Sequence, residues 1–337
     1  MFLCPFSNQH FHCMKLIFIS IFSLLIAYTS FSQTDSSIEK RIYPTSLIGS
    51  MEPPRIDGLV DEPVWELVEW ASGFVENEPN NGQNPSNQTK FKILFDEKYI
   101  YVAFRCYDSE PDKIERRLSR RDGFEGDYVG IIFDSFFDKR SGFSFVVTAA
   151  GVKGDEFISN NGNNIDAGWN PIWDTKTNID LEGWTAEMRI PLSQLRFGSH
   201  EAQVWGLQAI RRDFRNAERS YWQHIPPNPP GYISEFGELR GLNEINPQKQ
   251  LEIQPYVLSQ LDTYESQTGN PFRTGKDFKF TVGLDAKIGI TNDLTLDLTI
   301  NPDFGQVDAD PGAIALDGFE IFFQELRPFF VENKNIF

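Results

Sequence analysis

Cysteine and histidine are scarce in this sequence, basic residues are outnumbered, and no apolar run is long enough to cross a membrane as a helix. The 337 residues include three Cys (Cys4, Cys13 and Cys106) with no paired spacing. That excludes a disulfide scaffold and a cysteine-built zinc site. Of four His, two (His10 and His12) lie in the N-terminal segment. The remaining two, His200 and His224, give no support to a His-rich metal site or a Ser-His-Asp triad. Lys+Arg number 31 against 48 Asp+Glu, for a formal net charge of −17. Nucleic acid and anionic membrane surfaces both require a basic footprint, so this balance argues against either as a partner. With so many acids any carboxylate pair can be imagined, so none can be named as catalytic.

Aromatic residues are abundant. Phe alone accounts for 30 positions, and aromatics for 14% of the chain. That is far more apolar material than a disordered acidic tail carries, and the length suits two domains.

The N-terminal segment reads as an address. Lys15 precedes the apolar run LIFISIFSLLIAY (16–28) and the small polar stretch Thr29-Ser30-Phe31-Ser32. One positive charge, a short apolar core and small residues at Ser30 and Ser32 predict a signal peptide over 1–32, cleaved before Gln33. A membrane helix needs roughly 20 apolar residues, so the run is too short to be one. Met14-Lys15 reads as the better translation start. The expected location is therefore outside the cytoplasm.

From about 41 to 244 the chain reads as strands separated by turn chemistry. Residues 91–95 run through Asp96-Glu97-Lys98 into 99–107, with Ile100, Val102, Phe104 and Cys106 on one face. Further strands are expected at 127–134, 142–150, 173–179, 184–190 and 205–211. Short β-branched and aromatic runs with Gly, Asn and Asp between them predict a β-sandwich. One helix is expected to interrupt, with Asp61 as N-cap, Pro63 in its first turn and Val64, Leu67 and Val68 as its apolar stripe. Trp65 and Trp70 would plug the end of the sandwich, with Trp184 and Trp205 in its core. Trp169, Trp173 and Trp222 sit among Asn, Pro and Gly, where either a core position or a surface platform fits. Cys106 reads as a small buried hydrophobe.

Five blocks carry a family resemblance. RIDGLVDEPVW (55–65) resembles the opening signature of carbohydrate-binding module family 9, a DOMON-like β-sandwich. KILFDEKYIYVAFRCYDSEP (92–111), FEGDYVGIIFD (124–134), EGWTAEMRIPLSQLRF (182–197) and EFGELRGL (235–242) follow in the order of that family. The resemblance implies an all-β, jelly-roll-like sandwich that grips a terminal sugar between two aromatic rings, sometimes with structural calcium nearby. It places a Trp just before the acidic strand block, a Glu inside the block and a second Trp before the final strand. Here Phe124 takes the first place, Gly130 replaces the Glu, and Pro230 and Tyr232 stand where the second Trp is expected. The candidate saccharide contacts are therefore Phe124, Asp127, Trp169, Trp222 and Tyr232. The basic run Glu115-Arg116-Arg117-Leu118-Ser119-Arg120-Arg121-Asp122 is either a partner for acidic sugars or a solvated loop neutralised by Asp122, Glu125 and Asp127. Asp155-Glu156 and residues 160–166 are candidate calcium ligands, although their spacing is not that of an EF-hand.

After Asn246-Pro247 the period changes. In FKFTVGLDAKIGI (278–290) every even position is apolar and every odd one is polar or Gly. A turn at Thr291-Asn292-Asp293 leads into LTLDLTI (294–300), and residues 251–261 form an earlier strand containing Pro255. Long strands with one apolar face and short turns are the pattern of an outer-membrane β-barrel, whose lipid-facing positions must be apolar. A soluble sheet with one face on a core alternates in the same way. NPDFGQVDADP (301–311) and FFQELRPFFVE (322–332) then resemble an uncharacterised family of Gram-negative envelope proteins. Its members carry a family-9-like module in front of a C-terminal barrel region of unknown function. Barrels need at least eight strands, and about three are legible in 246–337. This region is therefore expected to be the N-terminal part of a truncated, incomplete barrel.

The resulting expectation is an exported, non-catalytic envelope protein of the periplasm or cell surface. Its sandwich would bind carbohydrate, and its C-terminal strands would meet outer-membrane lipid, for ligand capture or gating. The alternative is an accessory carbohydrate-binding module of a polysaccharide-degrading (O-glycosyl hydrolase) system in carbohydrate catabolism.

Overall fold

The structure, a computed structural model, describes residues 38–301 apart from 201, 267, 272–273 and 291–293. The expected signal peptide, the turn at 291–293 and the blocks after 301 lie outside the described residues. Among the described residues, every element longer than five residues is a strand. The sandwich begins with β1 (Ile42–Pro44), β2 (Ser46–Leu47), β3 (Val75–Glu78), β4 (Thr89–Phe95) and β5 (Tyr99–Tyr107). It continues with β6 (Tyr128–Asp134), β7 (Gly142–Thr148), β8 (Lys153–Ser159), β9 (Asn164–Asp166) and β10 (Asp174–Asp180). It ends with β11 (Gly183–Pro191), β12 (Ala202–Asp213), β13 (Glu218–Tyr221) and β14 (Gly237–Asn243).

These strands form two sheets. The larger has nine strands in the order β1-β14-β12-β6-β7-β8-β9, with β13 paired to the free end of β12 and β3 to β13. The smaller is five-stranded, in the order β10-β11-β5-β4-β2. Between them lies the main core. Phe91, Ile93, Val102, Phe104 and Cys106 meet Val129, Ile131, Phe133, Phe145, Trp205 and Leu207, all fully buried. Burial of this kind removes roughly 25 cal/mol per Å² of apolar surface from water, which is what holds the two layers face to face. Cys106 is fully enclosed, and burial pushes its thiol up to about 12. The β4–β5 turn closes on Asp96, whose Oδ1 accepts the Lys98 and Tyr99 N–H groups at 2.7 Å each.

The expected helix is a single 3-10 turn over Pro63–Leu67, with Glu62 rather than Asp61 at its N-cap. Val64 and Trp65 turn inward and Leu67 is exposed, because one 3-10 turn cannot carry an α-helical stripe. Trp65 packs with Ile48, Val68, Leu94, Tyr101 and Ala103 on the outer face of the five-stranded sheet. Trp70 is half-buried, with the Lys92 ammonium 5.0 Å from its ring.

A separate antiparallel sheet follows: β15 (Leu251–Thr263), β16 (Lys276–Gly289) and β17 (Thr295–Ile300). Its register pairs Leu251 with Ile288, Val257 with Val282 and Leu261 with Phe278 across β15 and β16. Leu296, Leu298 and Ile300 continue the same face opposite Ile288, Ala286 and Leu284. That face is apolar and exposed, with Leu251, Val257, Leu261, Phe278 and Phe280 each more than 60% accessible. Among the described residues the sheet is open.

Candidate functional site

Alternation along the nine-stranded sheet divides its residues between two faces. Val129, Ile131 and Phe133 of β6 point into the core, so Tyr128, Gly130 and Ile132 point outward. Cross-strand pairing extends this outer face in rows. Tyr128 lies opposite Arg212, which lies opposite Arg219, which pairs with Glu78. The next row holds Gly154, Val146, Gly130, Ile210 and Tyr221. A third brings together Glu156, Ser144, Ile132 and Gln208. Farther along, Ile132 and Ile158 are covered by Ile233 and Phe236, closing one end of the face with an apolar plug.

Phe124 stands over this face. A Cβ at Gly154 would lie 2.1 Å from its Cε1, so the ring occupies the space that Gly154 leaves open. Its centroid is 5.8 Å from that of Tyr128, with the two ring planes 50° apart. Tyr232 approaches the same face from the loop before β14, 6.1 Å from Tyr221 and 5.1 Å from Phe236. Asn161 holds this loop: its Oδ1 accepts the N–H groups of Tyr232 (3.1 Å) and Ser234 (2.9 Å). Its backbone oxygen takes a second bond from the Tyr232 N–H, at 3.0 Å.

Charge on this face is segregated. Glu156 is half-buried on β8, where burial, with Asp122 and Asp155 nearby, raises its carboxyl above the ordinary 4.5. On β12 and β13, Arg212 and Arg219 sit directly opposite one another. Arg212 donates to the Ala217 carbonyl at 3.2 Å. Arg219 lies 3.5 Å from Glu78 and bonds the Tyr221 hydroxyl, while its Nε is buried with no partner among the described residues.

The five sequence candidates are not brought together. Phe124 and Tyr232 share the outer face. Asp127 is 1% exposed and shares the inward parity of Val129. Its Oδ2 accepts the Glu115 N–H at 3.0 Å, fastening the loop before β6. Burial pushes its carboxyl up to about 6, with Asp213 adding to the rise and Arg211 opposing it. Trp222 is 3% exposed and packs edge-on against Phe91 at 5.4 Å, inside the main core. Trp169 lies on the inward side, against Phe143 (5.1 Å) and Phe145 (5.5 Å). There it lines a cavity of about 180 Å³ with Phe157 and Gln194. Trp173 is likewise core. Gly130, in the place of the expected Glu, is closed over by Ile210 and Val146, each within 2.9 Å of where its Cβ would stand. A carboxylate has no room there. Glu156, a calcium candidate in the sequence, and Arg212 and Arg219, which the sequence did not single out, lie on this face, whereas the parity set by the apolar residues of β6 excludes Asp127 from it.

Nor do the candidate calcium ligands converge. Asp155 accepts a forked contact from Arg121, with Nη2 2.9 and 2.7 Å from its two oxygens, and the Trp173 indole N–H at 3.0 Å. Asn161 is engaged by the Tyr232 loop. Among the described residues, no group of three or more His, Cys, Asp or Glu is placed to hold a metal ion. Arg121 is thus a structural partner of Asp155, and Arg117 pairs with Glu115 at 3.1 Å in the same loop.

The model of the carbohydrate family 9 binding domain-like family matches residues 56–228, about half of the chain. The chain belongs to that family. A second match covers residues 247–337, to a domain of unknown function (DUF5916). No curated protein matches. Among solved structures, the chain is similar to a family 9 carbohydrate-binding module from Caldicellulosiruptor kristjanssonii in complex with glucose. That pair is 21% identical with a TM-score of 0.44, covering 62% of this chain and 97% of the other. A cellotriose complex of a module from the same organism is 22% identical, with a TM-score of 0.44, covering 61% and 100%.

Within the family-9-like sandwich, the block at 55–65 is a clasp and takes no part in the outer-face cluster. Glu187 on β11 accepts the N–H groups of Asp57 (3.1 Å) and Gly58 (2.9 Å) on one oxygen and the Trp65 indole N–H (3.3 Å) on the other. Thr185 donates to the Gly58 carbonyl at 2.6 Å. Gly58 has φ +91°, and a Cβ there would fall 2.9 Å from the Thr177 backbone, so glycine is required. Glu187 is fully enclosed, and burial pushes its carboxyl up to about 8 against the pull of those N–H groups.

Proposed function

We propose that the family-9-like sandwich is a non-catalytic carbohydrate-binding module, using the outer face of the nine-stranded sheet. The carrying observation is the Phe124–Tyr128 pair beside Glu156, facing Tyr232 across an apolar floor of Val146, Gly130 and Ile210. Sugar rings present an apolar C–H face that stacks on aromatics, and their hydroxyls need a charged or amide partner to replace lost water. Glu156 supplies that partner from β8, where Gly130 cannot. Membership of a carbohydrate-binding family supports the same reading. Titration calorimetry of the chain with cello- and xylo-oligosaccharides tests it: saturable binding that Phe124→Ala abolishes is expected. Binding unaffected by both Phe124→Ala and Glu156→Gln would show that the site lies elsewhere.

The chain is exported, in this reading, and its β15–β17 sheet begins an outer-membrane barrel that carries the module for ligand capture or gating. Supporting it are strands of 13 and 14 residues, long enough to span the hydrocarbon layer at a tilt, and the exposed apolar face they share. Flotation of the chain with phospholipid vesicles measures that face directly. A chain that stays monomeric and lipid-free in buffer contradicts it.

A further inference from the structure

We infer that the outer face takes an acidic saccharide, with a uronate carboxylate held between Arg212 and Arg219. This rests on the saccharide-binding reading above and names the ligand class.

Arg212 and Arg219 are register partners across β12 and β13, and like charges at directly opposed positions are unfavourable unless an anion neutralises them. The protein supplies too little. Among the described residues, Glu78 is the one carboxylate against Arg219, at 3.5 Å, a loose contact on a half-exposed side chain. Arg212 has a carbonyl as its hydrogen-bond partner, at 3.2 Å. The Arg219 Nε is buried with its hydrogen unused. Glu218, next in the chain, is engaged by Ser86. This happens in a chain whose net charge is −17, where acids are the commoner charged residue.

Placement supplies the second argument. Arg212 is the direct cross-strand neighbour of Tyr128, and neighbouring strands are about 4.8 Å apart. Tyr128 is itself one ring away from Phe124, at 5.8 Å. A sugar stacked on either ring of the Phe124–Tyr128 pair therefore brings a substituent, or the next residue of its chain, toward the two arginines. Glu156 stands toward the opposite edge of the face, on β8, four strand spacings from β13 and so roughly 19 Å away. It can accept hydroxyls there without repelling an anion at the arginine end. The planar guanidinium fork matches a carboxylate bidentately.

Calorimetry on the whole chain with trigalacturonate, its methyl ester, and a neutral and a sulfated oligosaccharide of similar size tests the inference. The free acid is expected to bind at least tenfold more tightly than its ester, with the preference shrinking as salt rises. In an Arg212→Gln/Arg219→Gln variant the acid-to-ester ratio is expected to fall to about one. Both side chains are half-exposed, so the fold is retained. Equal affinity for acid and ester, with binding intact, overturns the acidic class and leaves the saccharide reading standing. Tighter binding of the sulfated probe overturns the carboxylate assignment. Absence of binding to all four probes removes the saccharide reading and this inference together.

Discussion

Replacing Glu187 with Gln isolates the energetics of the clasp over the five-stranded sheet. The carboxyl is fully buried and its pKa is pushed from 4.5 to about 8 by burial. The unfolded chain ionises above 4.5 while the folded one keeps its proton until about 8. Stability from this group is therefore fully present below pH 4.5 and is lost as pH rises toward 8. At about 1.4 kcal/mol per unit, the ceiling is roughly 5 kcal/mol. Asp127 and Asp134, each pushed up to about 6 by burial, act with the same sign at lower pH. His224, held below 6.5 by burial, acts with the opposite sign and is spent by that pH. Asp122, Asp155 and Glu156 are also raised by burial and act with the same sign, so the share of Glu187 between pH 6.5 and 8 is the part that its substitution removes. Urea unfolding followed by tryptophan fluorescence is expected to show a loss of about 2 kcal/mol across that window in the parent chain. Glu187→Gln is expected to flatten it. At pH 5, where the folded carboxyl keeps its proton, the variant should be about 1 kcal/mol less stable, because the amide NH2 accepts no hydrogen bond where the hydroxyl oxygen still can. A variant that keeps the parent slope between pH 6.5 and 8 would refute this reasoning.

Gly154→Ala displaces the Phe124 ring, because the new methyl falls within the ring's own volume. It should weaken saccharide binding about as much as Phe124→Ala while leaving the urea midpoint within a few tenths molar. Trp222→Ala, by contrast, should cost about 3–5 kcal/mol of stability as a core deletion, with saccharide affinity of the folded fraction unchanged; a binding loss without destabilisation would return Trp222 to the site. Val282→Arg, on the apolar face of β16, should reduce vesicle flotation by the equivalent of about 2–4 kcal/mol, whereas the polar-face change Thr281→Arg should leave it intact.

Much of the fold was legible because period-2 alternation is a local signal. The strand pair 91–95 and 99–107, and the apolar run of Ile100, Val102, Phe104 and Cys106, appear in the structure as the centre of the core. The alternation of 278–290 reappears as one exposed apolar face. Short strands such as β3 and β13 were not legible, since four residues carry too little pattern. The helix expected at Asp61 shrank to one 3-10 turn because the segment is fixed by long-range bonds to Glu187 and Lys92, which no local propensity encodes. Of the saccharide candidates, Phe124 and Tyr232 lie on the outer face, whereas Trp222 and Trp169 pack inward. Loop composition said nothing of which sheet face those residues reach. Arg212, Arg219 and Glu156 depend on register between strands distant in sequence.

Titration of the intact chain with saccharides, alongside Phe124→Ala and Trp222→Ala, decides whether the outer face of the nine-stranded sheet holds the sugar. Saturable binding that disappears with Phe124→Ala and survives in folded Trp222→Ala is expected. Binding that survives Phe124→Ala and is lost with Trp222→Ala would contradict it.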